Sequence, residues 1–240
     1  MAILYVIGTP IGNLEDITLR ALCVLKEADI IVCEDTRVTQ RLLKHYGITN
    51  KQLVSYNEQK SGASAEKIIK LMEEGKNLAL VTDAGTPGIS DPGAFLISQI
   101  REYFSKGIPW VDYPRDALGN AVKIESVPGP SALTAALSIA GVPAQEFLFL
   151  GFLPHKKGRE TLFKEIAETD RVVIFYESPH RLMKTLESLK KSSSGKTVSV
   201  AKELTKIHEN VVRGSASEVL KYFGEHKDKI RGEFVVIISD

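Results

Sequence analysis

Cysteine is scarce in this chain. Cys23 and Cys33 are the only two in 240 residues. Each lies within an apolar stretch, and two thiols in a chain this long exclude the disulfide framework of small secreted domains. Both are expected to be buried, in a soluble protein of the cytoplasm. Net charge is scarce too. Lysine and arginine number 31 against 30 aspartates and glutamates, so no overall field marks a nucleic-acid binder, although basic residues can still gather locally. The five histidines are scattered and no Cys/His pair has ligand spacing, so no metal is expected. Apolar runs are far shorter than a membrane span, and "MAILYVIG" carries no basic segment ahead of its apolar residues, so neither a span nor a signal peptide is expected. A P-loop, a nucleophile elbow and internal repeats are missing as well.

What is present is alternation. Apolar runs predict strands at residues 3–7, 30–33, 53–56, 78–81, 122–127, 147–150, 171–176, 197–201, 208–212 and 234–238. Helical periodicity predicts helices at 18–28, 63–74, 92–104, 131–140, 159–168, 179–190 and 215–223, the first with Leu19, Leu22 and Leu25 on one face. Strand–helix alternation of this kind indicates an α/β fold with mostly parallel strands. Pro128-Gly129-Pro130 divides the chain into two α/β domains, 1–127 and 128–240. Ligands of open α/β sheets lie beyond the carboxyl ends of strands and favour clefts between domains.

Unusual turns follow several strands. "GTPIGN" (residues 8–13) follows the first, but Pro10 stands where a dinucleotide fingerprint needs its second glycine, and proline has no N–H to offer a phosphate. "TDAGTPGISDPG" (82–93) places Asp83 at a strand tip, and Ser90 and Asp91 are expected to cap a helix with Pro92 at its first position. Ser131 follows "PGP" and either caps the next helix or meets a ligand. In "FYESPHR" (175–181), Arg181 sits in the first turn of a helix, where a cation opposes the helix dipole; an anionic substrate or Glu177 would favour it there. "AKELTKIHE" (201–209) brings Lys202, Glu203 and Lys206 just past a strand. Basic residues gather at Arg37 and Arg41 and in the loop "PHKKGRE" (154–160), whose Lys156, Lys157 and Arg159 suit a phosphate backbone.

Taken together, "TPIGNLEDIT", "EDTR", "DAGTPGISDPG", "VPGPSA", "GFLP", "FYESPHR" and "KELTKIHE" resemble the tetrapyrrole methylase superfamily, and in their particular wording the branch that methylates small-subunit ribosomal RNA. The motifs follow in order over nearly the whole chain. The resemblance implies two α/β domains with a cofactor cleft between them, S-adenosylmethionine as cofactor, and a homodimer. It implies 2′-O-methylation of a cytidine ribose in the decoding region of 16S rRNA, on the small ribosomal subunit. Carried over residue by residue, the cofactor contacts are Pro10, Ile11, Gly12, Asp83, Gly85, Thr86, Ile89, Ser131, Ala132, Tyr176 and Ala201. RNA contacts are expected from Arg37, Arg41, Lys156, Lys157, Arg159 and Arg181. Asp35, Glu177, Lys202 and Glu203 are candidates for a catalytic base, or for a cation that lowers the hydroxyl pKa. Two other functions fit the same fold: C-methylation of a precorrin or uroporphyrinogen, and non-catalytic RNA binding in assembly. The chain departs from the family pattern at residues 103–125, which are long enough for a hairpin insert carrying Trp110. It also departs after Asp240, where many members continue into a helical tail that would add RNA grip.

Overall fold

The computed structural model describes residues 1–56, 61–105, 122–193 and 195–240. Most of the expected insert, with Trp110, lies outside them. The described chain forms two compact units, Met1–Ser131 and Ala132–Asp240.

In the first unit, β1 (Ala2–Ile7), β2 (Ile30–Cys33), β3 (Gln52–Ser55), β4 (Leu78–Leu80) and β5 (Val122–Val127) make one sheet in the order β3-β2-β4-β1-β5. Every pairing is parallel. A parallel sheet is covered on both faces, which is why β2 and β4 are continuous apolar runs with every residue buried. Side chains alternate between two cores. Leu4, Val32, Leu78 and Leu80 pack with α3 (Ser61–Glu73) and α4 (Gly93–Phe104) on one face. Ile7, Ile31 and Ala79 pack with α1 (Leu19–Glu27) and α2 (Thr36–His45) on the other. Helix α1 buries Ala21, Val24 and Leu25. Leu19, expected on that face, is 82% exposed, and Cys23, expected to be buried, is exposed while Cys33 is buried. The face is rotated because the smaller Ala21 and Val24, not Leu19, meet the sheet.

The second unit contains α5 (Ala132–Ala140), β6 (Phe147–Phe152), α6 (Arg159–Glu168), β7 (Val172–Glu177), α7 (Pro179–Ser192), β8 (Thr197–Lys202), β9 (Asn210–Ser215), α8 (Ala216–Glu225) and β10 (Phe234–Ser239). Its sheet runs β6-β7-β10-β8-β9. Only β6–β7 is parallel; β10 pairs antiparallel with β7 and with β8, and β8 with β9. The expectation of mostly parallel strands therefore fails in this unit. The reason is topological: the last strand inserts at the centre, between two strands already joined by α7. All six residues of β10 are buried.

Candidate active site

The turns after β1, β4 and β5 are locked together by backbone. Gly8 N–H donates to the Val127 carbonyl at 3.1 Å, and Thr9 and Gly85 exchange a pair of backbone hydrogen bonds at 2.9 and 3.0 Å. The buried Thr9 hydroxyl adds a bond to the Thr82 carbonyl at 3.1 Å, and the Thr86 hydroxyl donates to the Pro130 carbonyl at 3.0 Å. Glycine is required here for a specific reason. A Cβ on Gly8 would stand 2.8 Å from the Gly129 Cα, and a Cβ on Gly129 would stand 2.6 Å from the Gly8 carbonyl oxygen. Gly85 takes φ of +86°, with the Ile11 side chain against it. Pro10 and Ile11 are buried in this floor and Gly12 is exposed at its lip. Thr9, Pro10, Leu14, Val38, Thr39, Arg41, Leu42, Thr82 and Asp83 line a cavity of about 170 Å³. Its walls are mostly apolar, with one guanidinium and one carboxylate.

Beside that cavity lies a group of acids. The Asp83 carboxylate accepts the Asp35 N–H at 3.0 Å, and Glu34 accepts from the Thr82 hydroxyl at 3.1 Å. Desolvation pushes the Asp83 carboxyl above its ordinary range, and the nearby Asp35 carboxylate adds to the rise. Glu34 is raised by desolvation and by Asp83 and Asp91. Asp35 goes the other way. It caps α2, accepting the Arg37 N–H at 2.8 Å, and pairs with the Arg37 guanidinium at 2.6 Å. Those bonds hold its carboxyl at about 2. Asp91 accepts from the Gly88 and Gly93 N–H groups at 2.8 and 2.7 Å and so closes the turn before α4. The expected Ser90 cap and Pro92 first position are shifted by one: Ser90 is left-handed (φ +65°), and Pro92 precedes the helix. Ile89 is exposed, Ser131 is half-buried at the end of the β5 turn, and Ala132 opens α5.

In the second unit, Glu177 ends β7 and is only 1% exposed. Its carboxylate pairs with Arg181 at 2.7 Å and faces Arg159 at 3.9 Å. It accepts from the Thr185 hydroxyl at 2.6 Å and the Ser178 N–H at 2.8 Å. Arg159 donates to Thr185 and to the Pro154 carbonyl, and its guanidinium lies over the Phe163 ring at 5.0 Å. This corrects two expectations. Arg159, expected on RNA, is buried within the fold, because it opens α6 with its side chain turned inward toward Glu177. Glu177, expected as a base, has both oxygens taken up by this network. Glu177 also explains the cation at the start of α7. Lys156 and Lys157 are exposed as expected, as are Arg37 and Arg41. Tyr176 is half-buried, its ring edge-on to Phe149 and Phe152, and Ala201 is buried in β8 between Val235 and Val211.

Lys202 is 6% exposed and donates to the Lys229 carbonyl at 3.0 Å. Glu203 has φ of +49° and accepts from the Lys206 ammonium at 2.9 Å and the Glu233 N–H at 3.2 Å. Desolvation pushes the Glu203 carboxyl up, but the Lys206 and Glu233 hydrogen bonds outweigh it and leave it low. A side chain at Gly232 would collide with Glu203 at 1.7 Å, so this pairing depends on that glycine.

Thr9 and Thr185 escaped the sequence reading. Thr185 left a signal: it interrupts the buried stripe Leu182, Leu186 and Leu189 of α7, and a hydroxyl in an apolar stripe needs a buried partner. Thr9 left none, because its partners come from a turn 73 and 76 residues away.

The Tetrapyrrole (Corrin/Porphyrin) Methylases family profile matches residues 3–220. The ribosomal RNA small subunit methyltransferase I of Thermotoga maritima is 43% identical over 239 residues, covering 100% of this chain and 99% of that protein. That of Hydrogenobaculum sp. is 43% identical over 237 residues, covering 98% and 95%. Among solved structures, a diphthine synthase superposes with a TM-score of 0.69 at 16% identity, covering 100% of this chain and 90% of that one. Uroporphyrin-III C-methyltransferase from Thermus thermophilus, complexed with S-adenyl homocysteine, gives 0.62 at 17%, covering 99% and 97%. The structural neighbours share the fold, the close relatives share the sequence from end to end, and the chain belongs to the tetrapyrrole methylase family, in its ribosomal RNA small subunit methyltransferase I branch.

Proposed function

We propose that this protein is an rRNA methyltransferase that places a methyl group on the 2′-hydroxyl of a cytidine in the decoding region of 16S rRNA. The observation that carries the reading is the full-length 43% identity to relatives named for that RNA, against 16–17% for the neighbours that share only the fold. The cofactor is S-adenosylmethionine, which when bound supplies a methyl group made electrophilic by its sulfonium. The floor after β1 and β4 fits such a ligand: it has apolar walls from Pro10 and Ile11, a narrow backbone surface at Gly85, and a carboxylate, Asp83, able to accept from a ribose diol. Ser131, Ala132, Tyr176 and Ala201 complete the proposed contact set. In-line displacement draws heavily on positioning. Of the four candidate bases, Glu177 and Lys202 serve the fold, and the hydrogen bonds that hold the Asp35 and Glu203 carboxyls low make both weak proton acceptors, so the reading rests on positioning more than on a strong base. We place the enzyme in the cytoplasm, as a homodimer.

Labelled S-adenosylmethionine with purified 30S subunits, combined with ribose-methylation mapping of 16S rRNA with and without the gene, tests the reading. Label on a cytidine 2′-oxygen is expected; label on a porphyrinogen and none on 30S particles would sink it. Asp83→Ala is expected to weaken cofactor binding about 10- to 100-fold, as loss of a hydrogen bond to a charged group does. Calorimetry measures this, and unchanged affinity removes Asp83 from the site. The paired change Lys156→Ala with Lys157→Ala is expected to lower RNA affinity and flatten its dependence on log salt by about 1 to 1.5. An unaltered slope would make the loop a solvated surface.

A further inference from the structure

We propose that a cavity beside the β6–α6 loop receives one unstacked nucleobase of the RNA, with Phe152 as its stacking face and Arg181 as the donor to the adjoining phosphate. The proposal rests on the reading of RNA as substrate. The cavity measures about 400 Å³ and is lined by Phe152, Leu153, Pro154, His155, Ser178 and Arg181.

Three features make it a nucleotide site. The first is Phe152, which is 56% exposed. The pairing of β6 with β7 shifts register between Phe149 and Phe152, and Gly151 takes φ of +59°. A bulge of this kind re-aims a side chain, and here a large aromatic ring is left in solvent at the cavity wall. Its edge contact with Tyr176, at 5.5 Å between centroids, holds the ring and ties the cavity to a proposed cofactor contact.

The second is the guanidinium of Arg181. Nε is fixed by Glu177 and Nη1 by the Leu153 carbonyl, each at 2.7 Å. Nη2 has no hydrogen-bond partner among the described residues, and the side chain borders the cavity. Two guanidiniums, Arg159 and Arg181, face the single Glu177 carboxylate, so one positive charge is left over in a fixed place. Such a donor suits a phosphate oxygen. The third is the rim, where His155, Lys156 and Lys157 follow directly and are exposed. RNA is read largely through splayed bases stacked on aromatic rings, with cations on the backbone. An apolar protein segment would make no use of the spare guanidinium.

The test uses the full chain, S-adenosylmethionine and 30S subunits. Wild-type protein that leaves 30S unmethylated refutes the function and not the subsite alone. With wild-type transfer established, Phe152→Ala is expected to raise KM for 30S on the order of tenfold, as loss of a base stack does. Its kcat and cofactor affinity should hold, and Phe152→Tyr should restore KM. Phe152→Trp supplies a direct readout: a short single-stranded cytidine-containing RNA should quench the added tryptophan emission beyond any quenching of the wild-type protein. Arg181→Lys, which keeps the pairing charge for Glu177, should raise KM as well. An unchanged KM in Phe152→Ala, or no added quenching in Phe152→Trp, would overturn the proposal. So would a KM defect on 30S with unaltered binding of free RNA, since Phe152 would then be meeting a ribosomal protein.

Discussion

Glu177→Ala is expected to destabilise the second unit by about 3–5 kcal/mol, the usual cost of removing one partner from a buried ion pair. Glu177 is 1% exposed, and its two oxygens hold Arg181, Thr185 and the Ser178 N–H, with Arg159 3.9 Å away. The side chains of Arg159 and Arg181 are only 8% and 16% exposed. Without the carboxylate, two cations remain in a weakly solvated place, and the Nε of Arg159, already without a partner, has nothing nearby to balance it. Glu177→Gln keeps the shape and one acceptor and should lose less. Adding Arg159→Met to Glu177→Gln should recover part of the loss, because an apolar side chain of similar length does not demand a counter-charge. Denaturant unfolding measures all three. A wild-type midpoint for Glu177→Gln, together with methyl transfer reduced more than about 100-fold and intact binding of both substrates, would return Glu177 to the role of base.

Gly129→Ala is expected to strike the cofactor floor directly. The added methyl would lie 2.6 Å from the Gly8 carbonyl oxygen and close to the rest of that peptide, so backbone rather than a pliable side chain must move. Overpacking of this kind costs about 1–3 kcal/mol. Activity should fall further than stability suggests: a displacement of about 1 Å in a positioned site costs on the order of 10²-fold in rate. Gly8 carries Thr9, whose backbone is bonded to Gly85, so the shift passes to the turn after β4. Gly62→Ala is the control. It lies in α3 with nothing within 4 Å of the added atom, and alanine in a helix should be neutral or stabilising by up to about 1 kcal/mol. Thermal melts and single-turnover methyl transfer separate the two outcomes; a Gly129→Ala enzyme with wild-type rate would mean that this floor does not touch the cofactor.

The ten strands of the described residues were legible from apolar runs, usually to within two residues, because period and length are local properties. Strand direction was not. The second sheet is antiparallel around β10 because of where a distant segment inserts, and no local pattern reports that. Helix α2 was missed altogether. Its stretch "TRVTQRLLKH" is polar apart from Val38, Leu42 and Leu43, and the preceding acids read more easily as a ligand site than as the Asp35 cap. The turns that build the floor were legible as unusual, since glycine and proline after a strand announce themselves. Their mutual contacts were not, because Gly8 and Gly129 meet only when β1 and β5 pair. Charge misled most in "PHKKGRE". Lys156, Lys157 and Arg159 look alike in sequence, yet only Arg159 turns inward, drawn by a carboxylate on the next strand. Phe152 stood in "GFLP" just past the strand expected at 147–150, and only the bulge before it shows the ring standing in water.

The position of β10 has a consequence for the order in which the protein is made. The first sheet has all its strands once Val127 has been synthesised. The second cannot close until Phe234–Ser239 appears, because those residues separate β7 from β8. During synthesis the first unit can therefore mature while β6, β7, β8 and β9 wait with a gap in their middle and their apolar faces open to chaperones. Nascent chains halted before Phe234 should yield a protease-resistant first unit and a degraded second one. Equal resistance in both would mean that the earlier strands hold together without their centre.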